Sequence, residues 1–432
     1  MITRDSFRLI YNVNKMKRKL KIGLFGFGCV GQGLYDILCK NDHFQSEVVA
    51  ICVKDRNKKR SLPADRFVFD KWEILNNDDL DLIIEMISDT DEAFHIVSTA
   101  LKKGKKVISA SKKMIAENFE TLYTIQKQYH CSFLYEAAAC GSIPIIRNLE
   151  EYFDNEPLKS VFGIFNGSSN YILSKIYNEQ LTYADALKQA QDLGFAELDP
   201  TLDVSGKDAV NKLSIIIAHA YGIIVKPEYI FSFGIQNLHQ VEIDFAKKQK
   251  LKIRSQAKAM KSGNKDLSAF VLPTFVDSEN GLYHIENELN TTLVEGQFSG
   301  LQQFKGKGAG GHPTGSAILS DISASLYHYK YEYKKMEHRE NIHYNNDVEL
   351  NLYIRYKSEH FLDILGVVPP EKTISIGKYH VAFIKVNLLK LIEKQQELLN
   401  EKVFIADLSY LDHENISLKD IFSEEIKYAE VE

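Results

Sequence analysis

Between residues 20 and 135 the chain alternates short apolar runs with amphipathic stretches: KIGLF, VGQGLYDILCK, VVAICV, LDLIIEM, HIVSTALKKG, KKVISA, LYTIQKQY and CSFLYEA. Continuous apolar strands separated by helices predict a parallel sheet covered on both faces, because each crossover must be long enough to return the chain to the same edge. Residues 20–145 therefore read as one doubly wound α/β domain.

From about residue 146 to 305 the rhythm changes. A strand (SVFGIF) leads into three helical patterns, SNYILSKIYNEQ, YADALKQAQDLG and KDAVNKLSIIIAHAYG, and then into the extended segments LSAFVLPTFV and NTTLVEGQ. This predicts a second α/β domain. The glycine-rich run GKGAGGHPTG precedes a further helix, and residues 306–328 are expected to return to the first domain. The highly polar residues 329–347 read as a linker. Beyond it, residues 348–432 give strand, helix, two strands, helix and strand, the order of a small ferredoxin-like α+β unit. Residues 1–19 form a basic tail, and initiation at either Met1 or Met16 leaves the predicted fold intact.

The chain has 432 residues, which calls for two or three domains. Its 44% hydrophobic and 26% charged residues are the balance of a globular protein. A net charge of -5 gives no electrostatic reason to expect nucleic acid. The lack of an apolar run of membrane-spanning length argues against a membrane partner. The five cysteines show no CxxC spacing, which fits reduced thiols in the cytoplasm rather than a zinc or redox pair.

The motif GFGCVG, covering Gly26, Phe27, Gly28, Cys29, Val30 and Gly31, directly follows the strand KIGLF and opens a helix. In that context its glycines serve a tight turn, a close approach to pyrophosphate and helix packing, the Rossmann-type arrangement for a dinucleotide. At the end of the next strand stand Lys54, Asp55 and Arg56. A carboxylate there favours NAD and basic groups accommodate the extra phosphate of NADP, so the expectation leans to NADP without excluding NAD or plain loop charges. Lys112 follows KKVISA at the carboxyl edge of the sheet, where open α/β folds bind ligands and where a lone lysine is ordinarily solvated.

The densest polar constellation is GFAELDPTLDVSGKDAVNKLSII, which holds Glu197, Asp199, Asp203, Asp208 and Lys212. Asp208 and Lys212 are four apart on a helix with an apolar stripe, hence neighbours on one face. An ordinary ion pair is the commonest explanation of that spacing taken alone. The acidic loop before it tips the reading toward chemistry. In NGSSN, Asn166 or Ser168 either caps a helix or meets a small polar substrate.

Six motifs in order, GFGCVG, SASKK, YEAAACGSIPII, NGSSNYI, GFAELDPTLDVSGKDAVNKL and GKGAGGHPTGSAILSDI, resemble homoserine dehydrogenase over residues 20–327. The resemblance implies reversible NAD(P)H-dependent reduction of L-aspartate 4-semialdehyde to L-homoserine by a homodimer or higher homo-oligomer, with residues 146–305 as catalytic and dimerisation domain. It makes Lys212 the proton donor, Asp208 its acidic partner, and Glu197, Lys112, Asp203 and Asp199 the substrate-binding side. Ser88, Lys112 and Gly308 join the cofactor side. YEAAACGSI is similar to a structural sodium site, with Glu136 by side chain and Ala139, Gly141 and Ile143 by main chain. Three departures stand out. SASK replaces TANK, Ser88-Asp89 replaces two glycines, and the C-terminal unit, where relatives carry an ACT domain, lacks the usual Pro-Gly turn. Alternatives are another NAD(P)-dependent amino-acid or aldehyde reductase, or a non-catalytic NAD(P)H-binding sensor.

Overall fold

A computed structural model describes residues 19–41, 45–263, 265–337, 341–358, 360–367, 373–411, 416 and 418. The basic tail, but for Lys19, and the Met16 start lie outside these residues. Among the described residues no helix is long and apolar enough to cross a membrane.

The chain divides into two compact units, the first containing residues up to 114, 121–135 and 310–330. Its strands are β1 (Leu20–Phe25), β2 (Ser46–Cys52), β3 (Phe67–Val68), β4 (Leu82–Glu85), β5 (Lys106–Ser109) and β6 (Phe133–Leu134). They form a parallel sheet of order β3-β2-β1-β4-β5-β6. Ile22, Leu24, Leu82, Ile83, Ile84 and Ile108 are buried, as strands covered on both faces require. Strand order reverses between β1 and β4, which leaves a crevice at their carboxyl ends. Helices α1 (Cys29–Lys40), α2 (Thr90–Lys102) and α3 (Lys112–Tyr129) follow β1, β4 and β5. The helix Gly311–Leu326 comes back to lie on α1. The contact is backbone on backbone, since a Cβ on Gly33 would stand 2.3 Å from the Gly311 carbonyl carbon.

The second unit contains residues 115–120, 136–309 and those from 331 onward. Its strands are β7 (Leu158–Ile164), β8 (Phe231–Ser232), β9 (Lys252–Ser262), β10 (Asp266–Val276), β11 (Leu289–Gly296), β12 (Gly300–Lys307), β13 (His343–Tyr344), β14 (Glu349–Tyr356), β15 (Thr373–Ile376), β16 (Tyr379–Asn387) and β17 (Phe404–Asp407). The sheet runs β12-β11-β7-β9-β10-β17-β14-β16-β15, with β8 and β13 pairing beside β10. Helices α4 (Gly167–Glu179), α5 (Tyr183–Asp192), α6 (Lys207–Tyr221) and α7 (Gln240–Lys248) belong to this unit. Helix α6 packs on β7, β9 and β10 and is buried from Asp208 to Tyr221. A helix covered all round must find a partner for each polar side chain it carries.

The C-terminal segment departs from the expected separate unit. Its strands take the order β17-β14-β16-β15 with every neighbour antiparallel, as a ferredoxin-like chain order requires, but β17 pairs with β10 and continues the main sheet. Phe245 and Phe275 share one core with Tyr353, Phe383 and Phe404. Nor is 329–347 a solvated tether over its described length. Tyr331, Tyr333 and Met336 are buried, and both tyrosine rings lie against His219 of α6. Polar composition concealed three anchors spaced along an otherwise charged segment.

Candidate active site

In the first unit, Gly26 follows β1 with a φ of 96°, a conformation that L side chains rarely adopt, and a Cβ there would meet the Met86 carbonyl at 2.8 Å. Gly31 is equally confined, since a Cβ there would stand 2.6 Å from the Gly26 carbonyl, whereas a Cβ on Gly28 would meet nothing within 4 Å. Two glycines thus build the turn and the third leaves open space at the start of α1, where free N–H groups and the helix dipole favour phosphate. Phe27 is buried, Cys29 is exposed and Val30 is half-buried. At the end of β2, the exposed Lys54 lies 3.9 Å from Asp89, and the Arg56 guanidinium stacks 4.5 Å from the Phe69 ring. Ser88 is exposed in the loop after β4, beside Asp89, which caps α2 through the Glu92 N–H. Lys112 opens α3, half-buried.

In the second unit, Asn166 follows β7 and caps α4, its Oδ1 accepting the Ser169 N–H at 2.8 Å. Its amide nitrogen then has two N–H groups to give, and they go to Asp203 Oδ1 at 2.7 Å and Asp208 Oδ2 at 2.9 Å. Asp208 Oδ2 also accepts from Lys212 Nζ at 2.8 Å, and Lys212 Nζ donates to the Phe165 carbonyl at 2.6 Å. Asp208 and Lys212 are 6% and 4% exposed, so this is no solvated surface pair. The two bonds account for two of the three donors of an ammonium group. The cluster so described sets two acidic side chains and one lysine around the Asn166 amide. Gly206, in the left-handed region at φ 83°, opens α6 and lets the acidic loop fold back on it.

Not every expected side chain joins this cluster. Glu197 is exposed, its carbonyl accepting from Gln191 Nε2. Asp199 is also exposed and turns onto the Thr201 hydroxyl and N–H, which hold its carboxyl below the usual range. Ser168 donates to the Phe195 carbonyl.

Glu136 is buried, and its two oxygens accept the N–H groups of Ile146 at 2.7 Å and Arg147 at 2.9 Å. Burial pushes its carboxyl up, against those bonds and the Arg147 charge. The Ile143 carbonyl accepts the Ile145 N–H, and Gly141 lies against Gly308. Oxygen donors of this kind, one carboxyl group and the carbonyls of Ala139, Gly141 and Ile143, are those a hard alkali cation takes.

Sequence reading overlooked Asn290. It is fully buried at the start of β11, and neither amide atom has a hydrogen-bond partner. The amide lies so close to Gly308 that a Cβ on that glycine would stand 1.9 Å from Asn290 Nδ2. The only cue was an asparagine in a strand pattern, where that residue is depleted.

A doubly wound sheet with open space at its glycine turn, and a buried lysine held by a carboxylate, fit an NAD(P)-dependent oxidoreductase acting on a CH–OH group. The family models for "Homoserine dehydrogenase, NAD binding domain" and "Homoserine dehydrogenase" match residues 26–136 and 144–323. Homoserine dehydrogenase of Bacillus subtilis is 32% identical over 320 residues, covering 72% of this chain and 73% of the relative. That of Helicobacter pylori is 34% identical, covering 71% and 74%. Among solved structures, a homoserine dehydrogenase from Thiobacillus denitrificans superposes with a TM-score of 0.77 at 25% identity, covering 90% of this chain and 98% of that one. A hyperthermophilic archaeal homoserine dehydrogenase in complex with NADPH gives 0.61 at 25% identity, covering 72% and 99%. The chain belongs to the homoserine dehydrogenase family.

Proposed function

We propose that the chain reduces L-aspartate 4-semialdehyde reversibly to L-homoserine, with Lys212 as proton donor and Asp208 as its acidic partner. The observation that carries this is the uncommitted third N–H of a buried ammonium whose other two are fixed by Asp208 and the Phe165 carbonyl. The nicotinamide, when bound, supplies the hydride to the aldehyde carbon or takes it back. Lys212 stabilises the negative charge that develops on the carbonyl oxygen and delivers the proton to it. Asn166 orients both Asp203 and Asp208, and acidic side chains so placed suit a substrate bearing an amino group. Glu197, Asp199, Asp203 and Lys112 are proposed to bind that substrate. Initial rates of homoserine oxidation beside a panel of other amino alcohols test the assignment. Equal activity across the panel would reject homoserine as the specific substrate.

On the cofactor side, Gly26 to Gly31 and Gly308, with Ser88 and Lys112, are proposed contacts. The exposed Lys54 and the stacked Arg56 support NADP over NAD. Lys54→Ala should then raise KM for NADP more than for NAD, and equal rises would remove the preference. Sodium is proposed at Glu136, Ala139, Gly141 and Ile143. Replacing sodium by choline at constant ionic strength should lower the melting temperature of the wild type but not of Glu136→Gln. A homodimer or higher oligomer is proposed as the working form, to be checked by sedimentation velocity.

A further inference from the structure

One buried carboxyl group takes no part in the chemistry above. Glu85 closes β4 and is completely shielded from solvent. Its Oε1 lies 2.7 Å from the Ile87 nitrogen and 2.7 Å from Ser111 Oγ, and its Oε2 lies 2.5 Å from Ser109 Oγ. Ser109 closes the neighbouring strand β5, and its Oγ in turn accepts the Ser111 N–H at 3.1 Å. A single side chain therefore ties together the two loops that leave the middle of the sheet. One loop carries Ser88 and the other carries Lys112. The first also forms the wall of the glycine turn, since a Cβ on Gly26 would stand 2.8 Å from the Met86 carbonyl and 3.2 Å from Ile87 Cγ2.

The hydrogens around Glu85 can be counted. Ser111 Oγ lies 2.9 Å from the Ile87 carbonyl as well as 2.7 Å from Glu85. A hydroxyl has one proton to give, and a carbonyl can only accept. If Ser111 donates to Ile87, the contact with Glu85 needs a proton on the carboxyl. A neutral acid satisfies every contact, whereas a carboxylate leaves one oxygen–oxygen contact without a hydrogen. Burial pushes the Glu85 carboxyl up from its ordinary range, against the three hydrogen bonds, which agrees with the count. Ser111 is the residue that stands where the family motif usually has asparagine, so the short hydroxyl is a feature of this chain.

An apolar side chain would fill the same space without the cost of burying a polar group, so what the carboxyl adds is a fixed loop geometry. In a doubly wound sheet of this order the half built on β4 to β6 takes the second mononucleotide, the one that carries the nicotinamide. We propose that Glu85, held as a neutral carboxylic acid, is a positioning residue that fixes the loops of Ser88 and Lys112 around the nicotinamide end of the cofactor. This rests on the proposed placement of those two residues beside the cofactor.

The test compares wild type, Glu85→Gln and Glu85→Ala in three measurements: affinity for the reduced cofactor, affinity for ADP-ribose, which lacks the nicotinamide, and kcat. Glu85→Gln is neutral and of the same shape, but no atom of its amide can both accept the Ile87 N–H and donate to Ser111, so it should fall between wild type and Glu85→Ala. Glu85→Ala should bind the reduced cofactor more weakly and lose roughly 10- to 100-fold in kcat, as a displaced reacting group does, with ADP-ribose affinity unchanged. Ser111→Ala removes one arm of the same network and should show the same pattern more weakly, which covers the case in which Glu85→Ala does not fold. Equal losses for ADP-ribose and cofactor would reduce Glu85 to a structural role and overturn the proposal. So would a glutamine variant more impaired than the alanine one, because the amide keeps bonds to the two loops that alanine loses. Failure of the wild type to bind ADP-ribose would instead indict the dinucleotide reading itself.

Discussion

Lys212 is the residue on which the chemistry turns, and burial changes what its removal should do. A solvated ion pair would cost at most about 1 kcal/mol and leave turnover intact. For the buried pair, Lys212→Ala is expected to lower kcat by roughly 100- to 10,000-fold, the range for a lost general acid, with cofactor affinity unchanged. Asp208→Asn should produce a comparable loss. Steady-state kinetics with cofactor titration decide it, and near-normal turnover in Lys212→Ala would reject the assignment. Gly308 allows a second prediction at this scale. A Cβ there would fall 1.9 Å from the Asn290 amide, so Gly308→Ala should destabilise by about 1–3 kcal/mol in urea unfolding. The double variant Gly308→Ala with Asn290→Ala should recover part of that loss. The i,i+4 spacing made Asp208 and Lys212 visible in the sequence, but which of the nearby acids joins them depended on the fold of the loop. Asp203 does and the exposed Asp199 and Glu197 do not, a difference of side-chain direction that carboxylate composition cannot carry.

At the scale of elements, α4 and α6 meet through one cap. Asn166 follows β7, satisfies the first turn of α4 and spends its amide protons on the two aspartates around α6. Its two sequence readings, helix cap or substrate site, are therefore joined in one side chain. Asn166→Ala should cost about 0.5–2 kcal/mol of stability for the lost cap and lower kcat as well, whereas Asn166→Ser should restore the cap without the bridge. Melting and kinetics on the two variants separate the roles, and a serine variant with full activity would show the bridge to be idle. The helical and strand periods were legible because amphipathic stripes repeat locally. That α6 is covered on every side was not, because its cover comes from strands β7, β9 and β10, as well as from the tyrosines at 331 and 333.

For the whole molecule, the C-terminal strands decide how far the chain can be cut. Arg355 of β14 lies 2.7 Å from Glu242 of α7, both buried, and burial pushes the Glu242 carboxyl up despite that partner. A chain ending after residue 345 would strand Glu242, at about 3–5 kcal/mol for a buried pair broken on one side, and would expose the β10 edge and the shared core. It should be insoluble or unfolded, in contrast to the separable unit that the sequence order suggested. A soluble, active truncation would overturn this. Acid sensitivity belongs to the same scale. Glu150 is buried, but the His219 ring at 2.6 Å and the Tyr333 N–H outweigh that burial and hold its carboxyl below the usual 4.5. The contribution is therefore complete above 4.5 and is lost as the pH falls through the lower folded-state value. Thermal unfolding during acidification should show a flatter pH dependence for Glu150→Gln than for wild type. Identical slopes would remove the pair as a source of acid lability.

The sequence by itself determined the parallel βαβ sheet, the glycine turn, the family and the Asp208–Lys212 pair, because each of these is written in local spacing: apolar runs, a six-residue glycine motif, a four-residue step on one helix. Only the tertiary structure decided that Asn166 joins two aspartates to the lysine, that Glu85 ties two loops of the sheet, and that the C-terminal strands complete the main sheet. These depend on residues 24 to more than a hundred positions apart, and which distant groups share a dry interior is settled by packing of the whole chain, not by the period of any one segment.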